Sequence, residues 1–460
     1  MPVHSLQPNN LKLIIMKKKI FILLICVTAF NLQAVKAQQA KPYEMTVNGV
    51  KVIVQPSGND IVEIQTAIKG GVQNYPADKA GIESLALSAL SECGTLKHDK
   101  NSFKNQLDKV GADVFGYTGK DYSIVKMNCI KGDFETVWPL YAEMMTLPAF
   151  DAKEFDRVKQ DAINSLKQSD GRPDAAIDKF ANSVAFAGRN YAKDPRGTVD
   201  NINKISAEEA KAYYKSILTR SRLLIVIVAD LDRTTIEQKV SQLLSGMKQG
   251  APFELKKEDF RIYKNSFSAE QRDLATNYVE GVTGGPEAGT PDFDAFNVAM
   301  RIFADRHFLE VRTNNGLSYA PQARFSYGAT SVAKFSVSTT QPNKYIEVFD
   351  KLVDKIKTEG FKADEVADMK TTYLTGFYYR QETNSAQAAS LATNEIIFNN
   401  WRRSYSLVND VKKLTVEEIS DAFRKYIGNI VWVYQGDPKK VDPLKYTNGT
   451  IDKGVGGVNN

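Results

Sequence analysis

Two periods of apolar residues alternate along the chain. The stretches 51–54, 62–68, 122–130, 223–229 and 430–434 place Val, Ile and other apolar residues at every second position or in short unbroken runs. These patterns read as half-buried and fully buried strands. Between them the period lengthens: Ile82, Leu85, Ala86, Ala89 and Leu90 fall at i, i+3, i+4, i+7 and i+8, which makes one buried helical face. Phe293, Phe296, Met300, Phe303 and Val311 mark a second such face, and Asn314, Asn315 and Gly316 follow it as residues that accept the left-handed conformation ending a helix. Ser206 and Thr415 stand as N-caps, with Glu209 and Glu418 three residues on, the capping-box spacing. Strand pairs packed under long helices predict an α+β chain.

The pattern occurs twice. Residues 205–218 recur in type as 414–427, an offset of 209, and a strand-like run follows each copy. Residues 122–130 line up with 331–339 at the same offset. Self-similarity at fixed spacing indicates duplication, and the chain is longer than one ordinary core of roughly 50 to 250 residues. The expected organisation is an N-terminal unit over 38–250, a linker over 251–264, a C-terminal unit over 265–448 and a flexible tail over 449–460. Gly, Pro and charge replace periodic apolar residues at the junction.

The first 37 residues set the expected compartment. Lys17, Lys18 and Lys19 precede an apolar run over 20–30, and Val35-Lys36-Ala37 closes it, the layout of a secretory signal peptide with cleavage after Ala37. That run falls short of the roughly 20 residues a membrane span needs, and no later run approaches it. The mature chain is therefore expected in the periplasm or outside the cell, without a transmembrane span. Cys26 follows Ile25 rather than the small residue that lipid attachment favours. Five lysines and no other charge lie in 1–37, so removing them lowers the formal charge from +6 to +1. A near-neutral chain offers nothing that would attract nucleic acid or an anionic membrane. Cys93 and Cys129 remain; export permits a bridge between them, and two buried free thiols fit the sequence equally well.

Candidate chemistry is sparse. After the leader only His98 and His307 remain, neither with a second histidine or cysteine at ligand spacing. His98 lies in a polar loop and reads as a solvated residue. His307, beside Arg306 near a helix end, reads as a cap or a partly buried ring. No Gly-x-Ser-x-Gly elbow appears. The glycine-rich run 281–286 lacks the Lys-Ser or Lys-Thr of a phosphate loop and reads as a mobile strand-to-helix connection.

Several weak motifs in order carry a resemblance. Gly70-Gly-Val-Gln-Asn-Tyr-Pro76, Ala80-Gly-Ile-Glu-Ser-Leu-Ala-Leu-Ser88, Gly94-Thr95, Pro291-Asp292, Phe308-Leu-Glu-Val-Arg312 and Gly316-Leu-Ser-Tyr319 together resemble the pitrilysin and insulinase superfamily of inverted zinc peptidases, above all its two-domain processing-peptidase branch. The resemblance implies two homologous domains, each a mostly antiparallel sheet packed against helices. Active members carry His-x-x-Glu-His on the first helix, where positions i, i+3 and i+4 share a face and bring two ligands and a base to one metal. Those positions align here with Ser84, Leu87 and Ser88, and a third ligand position, a Glu on a later helix, aligns near Ser165. Hydroxyls are poor zinc ligands and Leu87 cannot act as a base. The resemblance thus implies no metal and no catalytic residue in this chain.

Arg312 and Tyr319 keep the family's seven-residue spacing for a pair that binds the substrate backbone. A guanidinium and a phenol can donate to peptide carbonyls and to a developing oxyanion. The implied function is a non-catalytic, substrate-binding subunit of an exported heterodimeric zinc metallopeptidase. Its partner would be a homologous subunit carrying the zinc and the His-x-x-Glu-His motif, and its substrate a peptide. The rival expectation is a structural or peptide-binding envelope protein of the same fold with no catalytic partner.

Overall fold

Eleven strands among the described residues gather into two sheets. The computed structural model describes residues 41–448, so the expected signal peptide at 1–37, with Cys26, and the tail at 449–460 lie outside the described residues. The first sheet holds β1 (Tyr43–Val47), β2 (Val50–Pro56), β3 (Ile61–Lys69), β4 (Asp113–Thr118), β5 (Tyr122–Ile130) and β6 (Leu223–Ala229) in the order β1-β2-β6-β3-β5-β4. The second holds β7 (Ser266–Gln271), β8 (Asn277–Gly284), β9 (Gln322–Ser326), β10 (Val332–Thr339) and β11 (Val431–Gly436) in the order β7-β11-β8-β10-β9. With β1 set aside the two orders are the same. Each sheet has one parallel pair, β2 with β6 and β7 with β11, and is otherwise antiparallel.

The helices repeat as well. In the first half they are α1 (Ile82–Glu92), α2 (Lys100–Asp108), α3 (Phe134–Thr146), α4 (Ala152–Gly171), α5 (Pro173–Ala185), α6 (Val199–Lys204), α7 (Ala207–Ile217) and α8 (Arg233–Leu244). In the second they are α9 (Phe293–Phe308), α10 (Pro342–Glu359), α11 (Ala363–Tyr379), α12 (Asn384–Phe398), α13 (Arg403–Lys413), α14 (Val416–Tyr426) and α15 (Pro443–Thr447). Ser206 caps α7 by accepting from the Glu209 amide, and Thr415 with Glu418 forms a complete capping box on α14. All five residues of the stripe on α1 are buried, as are Phe293, Phe296, Met300, Phe303 and Val311.

One helix from each half lies on the sheet of the other. Ala388, Leu391 and Ala392 of α12 pack on Ala67, Leu224, Val226 and Val228 of the first sheet, while α5 lies against β8 and β11 of the second. Strands covered on both faces should read as unbroken apolar runs, and β6 is buried along its whole length. Both contacts include a buried charge network. Beneath α12, Glu63 accepts from Gln65 and Asn128, each at 2.8 Å, and lies 3.3 Å from Lys126, which donates to Ser385 at 2.9 Å. Beneath α5, Lys334 lies 2.9 Å from Glu280 and 2.8 Å from Asp178.

The repeat slips by one residue between the paired strands. Ile124 and Lys126 on β5 face the visiting helix, as do Val332 and Lys334 on β10, whereas Phe335 faces the other core. An odd offset of 209 would turn every side chain to the opposite face; the strands correspond at an even offset. The run 281–286 also departs from expectation, because Gly281 to Gly284 belong to β8. A Cβ on Gly281 would come within 2.5 Å of the Trp432 ring, so close packing rather than mobility accounts for the glycine there.

Candidate functional site

Helix α1 crosses edge strand β4 and packs on α4 and α7. Ser84 and Ser88 lie one turn apart and half-buried, Leu87 is buried, and Ser165 is exposed on α4. The approach to β4 is close: a Cβ on Gly116 would sit 3.1 Å from the Leu87 Cβ. Where a zinc-binding helix would present imidazoles and a carboxylate, this face presents two hydroxyls and an isobutyl group. Among the described residues no group of three or more His, Cys, Asp or Glu is placed to hold a metal ion.

The carboxylate in α1 has a different task. Glu83, one residue before Ser84, is fully buried and accepts from the Ser123 hydroxyl, the Tyr213 hydroxyl and Asn74 Nδ2 at 3.1 Å. It ties α1 to β5, to α7 and to the turn after β3. Burial pushes its carboxyl up, while the three donors and the nearby Arg222 pull it back. Residues i and i+1 diverge by about 100° on a helix of 3.6 residues per turn, so Glu83 anchors one side of α1 while Ser84 and Ser88 take another. Its role was hidden in the sequence because Ser123 and Tyr213 are distant along the chain and Asn74 lies in the turn before the helix.

Arg312 and Tyr319 are brought together. Helix α9 ends in a π-helical turn, Leu309–Asn314, a form that recurs at functional positions. Gly316 at φ +60° closes it, and the Leu317 amide donates to the Val311 carbonyl at 2.8 Å. The turn lays the Arg312 guanidinium over the Tyr319 ring, 4.2 Å from its centroid, and 5.1 Å from that of Phe308. Tyr319 does not begin a strand; it lies on a bend before β9 and is 78% exposed. Among the described residues nothing hydrogen-bonds to the Arg312 guanidinium or the Tyr319 hydroxyl. A guanidinium that served only to cap the helix would be donating to its last carbonyls.

The histidines and cysteines are otherwise occupied. His98 is part-buried, not simply solvated, with Nδ1 2.8 Å from the Glu143 carboxylate. His307 is fully buried, stacks on Phe303 and places Nε2 3.1 Å from the Tyr345 hydroxyl; burial pushes its imidazole down to about 3. Cys93 and Cys129 are free, buried thiols, pushed up by burial to about 12 and about 11. An imidazole and thiols buried as His307, Cys93 and Cys129 are make poor bases or nucleophiles at neutral pH. No helix among the described residues is long and apolar enough to cross a membrane.

Comparison with known proteins agrees with this geometry. Residues 51–198 match the family model for insulinase (peptidase family M16), and residues 204–373 match the model for the peptidase M16 inactive domain. A Helicobacter pylori protein named as the non-peptidase homolog YmxG is 21% identical over 415 residues, covering 86% of this chain and 94% of its own. The peptidase M16 inactive domain from Pseudomonas fluorescens has a similar fold, with a TM-score of 0.79 at 19% identity over 86% of this chain and 98% of that one. The periplasmic protease PqqL from Escherichia coli gives a TM-score of 0.74 at 15% identity, with 86% of this chain matched to 46% of that one. The two family models together span more than half of the sequence, and with two sheets of the same strand order the conclusion is direct: the chain belongs to the insulinase family, peptidase family M16.

Proposed function

We propose that this chain is the substrate-binding subunit of an exported zinc peptidase made of two chains, in which a homologous partner carries the metal. The observation that carries the reading is the contrast between two places. Ser84, Leu87, Ser88 and Ser165 offer neither ligand nor base, whereas Arg312 and Tyr319 are stacked, accessible and free to donate. The guanidinium and the phenol would hold the carbonyls of an extended peptide against the partner's zinc site, and the guanidinium would stabilise the oxyanion as water adds. Zinc bound in the partner would supply the activated water. The open edges of β4 and β9 offer main-chain groups for an added peptide strand.

The fold of PqqL supports a two-unit enclosure by analogy. This chain matches a little under half of that protein's length, as one half of a paired assembly would. Within the chain, the units 38–250 and 265–448 joined by 251–264 would be the two halves of an ancestral duplication. Purification of the mature chain from its native source, with metal analysis, tests the proposal. Co-purification of a His-x-x-Glu-His peptidase, with zinc on that chain, is expected. Recovery of this chain alone, or only in an envelope complex with no peptidase, contradicts it.

A further inference from the structure

Two cavities open side by side at the turn joining α11 to α12. One, of about 440 Å³, is walled by α9, α11, α12, α13 and β9. The other, of about 610 Å³, lies between α11, α12, α13 and the loop joining β2 to β3. They share Phe377 and Gln381 as wall residues, so they adjoin there, and a ligand laid across those two residues would occupy both ends of one trough.

The two ends differ in chemistry. Three guanidinia line the smaller cavity: Arg301, Arg380 and Arg403. Arg403 is neutralised, because both its terminal nitrogens contact the Asp294 carboxylate. Arg301 lies over the Tyr373 ring at 4.8 Å, and among the described residues no carboxylate ion-pairs with Arg301 or Arg380. Two uncompensated positive charges therefore share one cavity, and burial together with Arg380 draws the Arg301 guanidinium below its usual range. Aromatic rings, those of Phe293, Phe325 and Tyr373 among them, form much of the remaining wall. The larger cavity carries no charged side chain. Gln381 and Asn409 line it with side-chain amides that spend no hydrogen bond among the described residues.

A ligand matched to this trough has an anionic end, an apolar group beside it, and then a neutral chain that both donates and accepts hydrogen bonds. The C-terminal end of a peptide has those parts in that order. We infer that the trough is an exosite for the C-terminus of an extended peptide, with the α-carboxylate on Arg301 and Arg380, the last side chain among the aromatic rings, and the preceding backbone amides along Gln381 and Asn409. Planar guanidinia are well suited to a carboxylate. The inference rests on the reading of the chain as a peptide-binding subunit, but it needs no partner and no metal.

The test uses the mature chain alone and fluorescein-labelled mixed-sequence decapeptides ending in phenylalanine, with a free carboxylate or a C-terminal amide. Fluorescence anisotropy should show the acid binding roughly tenfold more tightly than the amide. The double substitution Arg301→Gln with Arg380→Gln should erase that preference, while Arg402→Gln on the nearby surface should keep it. Competition by N-acetyl-phenylalanine but not by its amide reads the same preference in the unsubstituted chain, should the double variant fold poorly. Equal binding of acid and amide, a preference that survives in a folded double variant, no binding of either peptide, or binding of N-acetyl-phenylalanine without the decapeptide would each overturn the exosite. A chain that assembles with a zinc partner yet ignores the carboxylate loses only the exosite. One that prefers the acid yet has no partner loses only the proposed function.

Discussion

His307 shows how a residue suited to catalysis becomes part of a core. Its ring is enclosed by Phe303, Tyr345 and Phe349, and the cost of burying an imidazolium lowers its pKa to about 3. An unfolded imidazole titrates near 6.5, so between those values the proton is bound only on unfolding. Stability therefore falls as pH drops from about 6.5 towards 3, by up to about 1.4 kcal/mol per pH unit. Urea midpoints measured from pH 7 to pH 4 should show this slope, and His307→Phe should flatten it; an unchanged slope in the variant would assign the acid sensitivity elsewhere. Arg312 and Tyr319 present the opposite case, two polar groups left accessible. Their spacing is readable in the sequence, but that one ring lies under the other's guanidinium is not, because the π-helical turn that stacks them leaves no periodic signal.

At the level of elements, periodicity reports that a face is buried without saying against what. The stripes on α1 and α9 and the caps Ser206 and Thr415 are legible, since each depends on residues within a few positions. The placement of α12 on the first sheet and α5 on the second is not legible, because the partners are distant in the chain. The Arg301–Arg380 cavity and the ties of Glu83 to Ser123 and Tyr213 stayed hidden for the same reason. Gly281 was readable as a glycine but not as the neighbour of Trp432. Leu391 reports directly on the exchanged helix, being buried against the first sheet from the second half of the chain. Leu391→Ala should cost about 2–5 kcal/mol and should leave one unfolding transition, because the helix belongs to both halves. Calorimetry resolving two transitions, only one of them moved, would mean that the halves melt independently.

Across the whole molecule, the repeated sheets and exchanged helices make a frame in which one half's first helix has Ser84, Leu87 and Ser88 where a zinc motif would stand, while Arg312 and Tyr319 stack at the end of the other half's. Two sheets of like order, each covered by a helix from the other half, fix the relation between α1 and the end of α9. A frame of that kind can present a peptide to a second chain. Arg312 and Tyr319 are proposed to act on substrate whose bond is cut by the zinc of a second chain. The most direct measurement is kcat/KM for peptide hydrolysis by the zinc partner, alone and assembled with this chain as wild type, Arg312→Ala or Tyr319→Phe. The wild-type assembly should be active and the partner alone nearly silent, with Arg312→Ala lowering kcat/KM by roughly 100-fold and Tyr319→Phe by roughly tenfold. Full activity in both variant assemblies would contradict the account.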